Sequence, residues 1–137
     1  MRNGNKGFTL LELMIVVGVI AILAILVYPS YAREVVKTKR STGAACLMEE
    51  AQFMERYYST NMGYAGATLP VTACATDLSG VYTFGFSAGP TATTYTLAAT
   101  PQGRQAAKDL LCGTMSVNEK GTKTVSGTSS ATPAECF

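Results

Sequence analysis

Between Phe8 and Tyr28 the chain carries 21 residues with a single charged side chain, Glu12, and no other feature limits its fold as strongly. Wound as a helix at ~1.5 Å per residue, the run spans ~31 Å, which matches a bilayer core of ~30 Å. Such a segment needs lipid or other apolar helices around it. A secretory signal is the competing reading. Arg2 and Lys6 make a basic start, and Ser30-Tyr31-Ala32 has the small-x-small form of a cleavage site. The apolar run is longer than an ordinary signal core, however. An ionisable group within it costs ~2.5 to 3.5 kcal/mol on insertion scales, so Glu12 calls for a partner.

The rest of the composition excludes more than it assigns. The chain of 137 residues has no histidine, the commonest general base and zinc ligand, and a formal charge of only +2. No recognisable nucleophile motif supports a secreted enzyme released after Ala32. Cys46, Cys74, Cys112 and Cys136 form no C-x-x-C unit, so neither a metal centre nor a thioredoxin-type site is expected, and no cofactor is implied. Four widely spaced cysteines fit two disulfides in an oxidising compartment, with three pairings open.

Helical periodicity continues past Tyr28. Pro29 deletes one backbone hydrogen bond and is expected to kink the helix without ending it. Ala44, Leu47, Ala51, Met54 and Tyr58 then recur along one face. A helix from about Phe8 to Thr60 would be ~80 Å long, apolar all round in its first half and striped in its second. Asn61-Met62-Gly63 ends the pattern, and a linking loop runs to about Gly80. Four alternating β-rich segments follow, at 81–86, 94–100, 111–117 and 122–126, with Asn118-Glu119-Lys120-Gly121 as a hairpin turn. The expected fold is α+β. A long N-terminal helix packs its second half on a four-stranded antiparallel sheet whose outer face carries threonine and serine.

The start of the chain adds a specific motif. Gly7-Phe8-Thr9-Leu10-Leu11-Glu12-Leu13 resembles the class III signal of type IV prepilins. Further blocks resemble the PilE-like branch of type IVa pilins: Tyr28-Pro29-Ser30-Tyr31, Met54-Glu55-Arg56-Tyr57-Tyr58, Tyr95-Thr96-Leu97 with Thr100-Pro101-Gln102-Gly103, and Cys112-Gly113-Thr114-Met115. The resemblance covers most of the chain. It implies a leader over residues 1–7, a membrane and assembly segment over 8–28, and an external globular domain over 29–137. It also implies cleavage after Gly7 and N-methylation of Phe8 by a prepilin peptidase. Thr9, Glu12, Gly18 and Pro29 become assembly positions. Glu12 would pair with the amino terminus of a neighbouring subunit, and a buried carboxylate is tolerable when paired in this way. The helix from Gly18 to Pro29 would melt locally on assembly. The disulfides favoured by the resemblance are Cys112–Cys136, closing the tail onto the third strand, and Cys46–Cys74.

The implied function is that of a structural subunit of a type IV pilus, serving adhesion, twitching motility or DNA uptake. Its partners would be itself, other pilins, the peptidase and the pilus assembly machinery. It would sit in the inner membrane of a Gram-negative bacterium with its C-terminus in the periplasm, then in the external filament. Counting Arg2 and Lys6 against Arg33, Lys37, Lys39 and Arg40 argues for the reverse orientation, but the cysteines and the signal both require the domain outside. Rival readings are a minor or competence pilin and a type II secretion pseudopilin, many of which use calcium in place of a C-terminal disulfide.

The cations after the membrane segment face either the acidic patch of a neighbour (Glu49, Glu50, Glu55) or anionic lipid. Arg104, Lys108, Lys120 and Lys123 are the candidate DNA contacts. No aromatic-basic motif accompanies them, and Tyr57, Tyr58 and Tyr64 read as packing residues.

Overall fold

The computed structural model of the chain describes residues 7–128 and 133–137. It divides into two compact units, 1–35 and 36–137. Helix α1 (Leu10–Asn61), of 52 residues, runs through both.

In the first unit α1 buries nothing: Leu10 is 78 % exposed and Tyr28 69 %. Thr9 starts the helix by accepting the Glu12 backbone N–H on its hydroxyl (3.2 Å), one of the donors that a helix N-terminus leaves unpaired. Glu12 stands in the first turn, where a carboxylate also opposes the helix dipole. Helical structure continues through Pro29, which has no N–H to offer the Ile25 carbonyl.

The second unit contains the rest of α1, then α2 (Ala73–Asp77), β1 (Tyr82–Ala88), β2 (Thr96–Pro101), α3 (Gly103–Lys108), β3 (Met115–Asn118), β4 (Lys123–Val125) and a 3-10 turn at Pro133–Glu135. The strands form one antiparallel sheet in the order β1-β2-β3-β4. One face of α1 is buried on it, through Gly43, Ala44, Cys46, Leu47, Glu50, Ala51 and Met54. Leu47, Met54, Leu97 and Met115 are fully buried there, each worth ~1.5–3 kcal/mol of transfer free energy. Gly43 permits a close approach: a Cβ at this position would lie 3.1 Å from the Tyr82 ring.

Alternation sets the sheet's inner face. Leu97 and Ala99 of β2 and Met115 and Val117 of β3 point to the core, while Ser116 and Asn118 are half-buried. The β3–β4 turn forms as its sequence predicts. Asn118 Oδ1 accepts the backbone N–H groups of Lys120 (3.1 Å) and Thr122 (2.9 Å), and Gly121 takes a left-handed φ of 71°.

Three elements differ from the sequence-based expectation. The stretch 103–108, given no structure there, is α3, and the linking loop contains α2, whose first turn Thr72 caps through Ala75 N–H. The third strand begins at Met115, not at Leu111. Residues 111–114 turn instead, with Gly113 donating its N–H to the Asp109 carbonyl (3.0 Å) at a φ of 61°.

Candidate functional site

The N-terminal candidates lie along one exposed helical segment. Gly7 and Phe8 precede the first turn of α1, Thr9 and Glu12 form that turn, and Gly18 and Pro29 are interior helix positions. A Cβ at Gly18 would meet nothing within 4 Å, so no packing within the chain requires glycine there. Residues 1–6, with Arg2 and Lys6, lie outside the described residues.

The four candidate DNA contacts separate into two pairs. Sheet register defines the two ends of the domain. At one end Tyr82 pairs with Pro101, and α3 follows immediately, carrying Arg104 and Lys108. At the other end Thr96 pairs with both Ala88 and Asn118. The turn bearing Lys120 follows Asn118, and Lys123 pairs with Val117 beside it. Lys123 also lies 4.8 Å from the centre of the Phe137 ring. The four cations therefore form no single patch.

Two polar networks hold these ends in place, and a third polar group is buried without a part in either. Beneath α3, the Arg40 guanidinium grips Asp109 with contacts of 2.8, 3.0 and 3.1 Å. Tyr82 donates its hydroxyl to Asp109 (3.2 Å), while the Gln105 amide donates to Asp109, to the Tyr82 oxygen and to the Val36 carbonyl. Burial pushes the Tyr82 hydroxyl pKa up to about 12. At the opposite end Glu55 Oε1 accepts hydroxyls from Tyr64 (3.1 Å) and Tyr95 (3.2 Å). Burial, and then the Glu55 charge, raise the Tyr95 pKa. The Tyr64 ring packs on Tyr58 at 4.8 Å and edge-on to Tyr95 at 4.7 Å. Tyr58 and Tyr64 thus pack on each other, and Tyr57 reaches the Ala65 carbonyl at 3.4 Å.

The third group is a carboxyl with an unpartnered oxygen. Glu50 is 1 % exposed on the core face of α1, and its Oε2 finds no hydrogen bond among the described residues. Burial, and secondarily Glu49, push its pKa up to about 7. Sequence reading grouped Glu50 with an acidic surface patch, but the structure puts it inside. The i, i+3, i+4 spacing to Leu47, Cys46 and Met54 carried that signal.

Two disulfides close the domain, Cys46–Cys74 and Cys112–Cys136. The first ties α1 to α2; the second ties the 3-10 turn to the residues before β3. Among the described residues, no cluster of three acidic or cysteine side chains could hold a metal ion.

Known proteins match most of this chain, up to residue 116. Residues 2–28 match a family model described as the prokaryotic N-terminal methylation motif. Residues 29–116 match a second model, described as type IV minor pilin ComP, DNA uptake sequence receptor. The chain is 39 % identical over 64 residues to the type IV wide pilus major component PilA4 of Thermus thermophilus, covering 47 % of this chain and 48 % of that protein. It is 47 % identical over 45 residues to the type IV major fimbrial protein FimA of Dichelobacter nodosus, covering 33 % and 28 %. The match thus spans about half the length of the first relative and less of the second. In fold, the chain is similar to a type IV pilin from Shewanella oneidensis (TM-score 0.53, 24 % identity, 74 % of this chain and 97 % of that one). It is also similar to the non-core minor pilin PilV of Neisseria meningitidis (TM-score 0.54, 22 % identity, 72 % and 93 %).

Proposed function

Because the chain belongs to the type IV pilin family, we propose that it is a subunit of a type IV pilus whose globular domain takes part in DNA uptake. The observation that carries the DNA reading is the match of residues 29–116 to the ComP family model, which spans most of the globular domain. A prepilin peptidase cuts after Gly7 and methylates Phe8, leaving Glu12 four positions from the new amino terminus. The apolar part of α1 anchors the subunit in the inner membrane, with the domain in the periplasm, until the pilus machinery extracts it. In the filament it packs against the same segment of neighbouring subunits, where Glu12 meets a neighbour's terminal ammonium. Gly18 and Pro29 are the weak points at which that segment loses helical order.

For DNA, the division of the cations decides which surface serves. Lys120 and Lys123 lie at the end of the sheet that also carries the 89–95 loop, rich in threonine, and they are the contacts assigned here. Threonine hydroxyls and backbone N–H groups of such loops suit phosphate oxygens. The aromatic rings at this end are engaged with one another, so affinity comes from the phosphate backbone and falls with salt. The test is duplex DNA binding by the full chain against Lys120→Gln/Lys123→Gln at two salt concentrations. The expected result is a several-fold weaker affinity and a shallower salt dependence in the variant. Equal binding by both would count against this surface.

The second reading, a major subunit, is favoured by the matches to PilA4, a major pilus component, and FimA, a major fimbrial protein. The share of filament mass contributed by the chain separates the two.

A further inference from the structure

The cations left over from the DNA assignment collect at the other end of the domain. Gln105 Nε2 donates to the Val36 carbonyl (3.1 Å), and Asp109 binds Arg40. These contacts seat α3 and the turn after it against residues 36–40 of α1. Lys37, Lys39, Arg104 and Lys108 are all exposed on the elements so joined. Arg40 contributes no free charge, because Asp109 neutralises it. Two exposed acids offset this group in part: Asp77 at the end of α2, and Glu34 one turn before Lys37 on α1.

Beside Lys108 the apolar pair Leu110 and Leu111 remains 61 % and 43 % exposed. Their backbone is fixed: the Leu110 carbonyl accepts from the Thr128 N–H (3.0 Å) and hydroxyl (3.2 Å). Two leucines held outward next to a group of exposed cations are costly in plain water and form an amphipathic surface. Along the chain, residues 29–35 join the apolar segment to Val36.

We propose that this end of the domain, formed by Lys37, Arg104, Lys108, Leu110 and Leu111, docks on an anionic phospholipid surface. The leucines enter the headgroup–acyl boundary and the cations lie among lipid phosphates. The contact holds the subunit against the membrane before assembly and is released when the subunit leaves it. The inference rests on the membrane anchoring proposed above. It assigns Arg104 and Lys108 to lipid and leaves DNA to Lys120 and Lys123.

The chain has no tryptophan, so one substitution supplies a unique fluorescent reporter. Full-length chain carrying Leu110→Trp is reconstituted into vesicles of bromine-labelled phosphatidylcholine, with or without phosphatidylglycerol. Co-flotation with the vesicles is checked first. The expected result is blue-shifted, several-fold quenched emission only when phosphatidylglycerol is present. The effect is reversed by high salt and lost in the Lys37→Gln/Arg104→Gln/Lys108→Gln background. A reporter at Thr122→Trp, at the opposite end, stays unquenched. Should the triple variant melt earlier than the parent, Lys108→Gln alone must still show a partial loss. Unquenched emission in both lipids, equal quenching in both, or quenching that survives neutralisation overturns the proposal. So does an emission change produced by duplex DNA and not by phosphatidylglycerol, which would make this a DNA face. A chain that fails to co-float overturns the anchoring as well, whereas co-flotation without quenching overturns the docking alone.

Discussion

Arg40 and Asp109, distant in sequence, meet in a two-pronged ion pair, with Nη2 2.8 Å from Oδ1 and Nε 3.0 Å from Oδ2. The Asp109 side chain is 0 % exposed and that of Arg40 13 %. Removing one partner strands the other charge, which costs ~3–5 kcal/mol for a buried pair, whereas replacing both by apolar residues is often close to neutral. Asp109→Ala is therefore expected to lower stability by ~3–5 kcal/mol, and Arg40→Met/Asp109→Leu by much less. Tyr82→Phe, which leaves Asp109 its Arg40 and Gln105 donors, should cost only ~1 kcal/mol. Thermal unfolding of the three variants checks the order.

Glu50 predicts an inverted pH dependence. In the unfolded chain its carboxyl ionises near 4.5, whereas the folded core holds the proton to about pH 7. Between these values the folded state binds the extra proton, so stability falls as pH rises through this window and levels off above it. The loss amounts to ~3 kcal/mol. Glu50→Gln should match the parent near pH 4.5 and exceed it by up to ~3 kcal/mol at pH 8. Denaturant unfolding of both chains across this range reads the difference directly. A constant difference at all pH values would show that the carboxyl does not titrate as described.

The disulfide between Cys112 and Cys136 spans 24 residues. Chain-entropy reasoning gives a closure of this length ~3 kcal/mol of stabilisation. Cys112→Ser/Cys136→Ser should lose about that amount, measured by denaturant midpoint under oxidising conditions.

Glu12 stands in the first turn of α1 and has the assembly role proposed above, and one substitution separates the two. At the third helical position a glutamine serves the first turn nearly as well as a glutamate. Glu12→Gln is therefore expected to insert into the membrane and accumulate like the parent, yet to be depleted at least several-fold from sheared filaments. Equal incorporation would leave Glu12 with the helix start alone.

Much of this was legible in the sequence, for identifiable reasons. The apolar run and the 3-4-3-4 stripe from Ala44 to Tyr58 are periodic signals that tertiary packing reinforces, so α1 lies within two residues of its expected bounds. Asn118 and Gly121 announce their turn through local chemistry. By contrast, α3 is six residues long and held by the Gln105 and Asp109 contacts to α1, which no local pattern encodes. The start of β3 differs from its expected position because Leu111 and Cys112 look like strand residues, yet they serve an exposed pair and a disulfide. The separation of Arg104 and Lys108 from Lys120 and Lys123 depends on strand register, which composition does not carry.

The central claim is that this chain is cleaved after Gly7 and built into a pilus. The most direct measurement is the intact mass and N-terminal residue of the chain in sheared surface filaments. The account predicts a polypeptide beginning with N-methylated Phe8, carrying both disulfides, as part of the filament. A free chain beginning at Arg33, found in the medium and absent from filaments, would contradict it and return the apolar run to the role of an ordinary signal peptide.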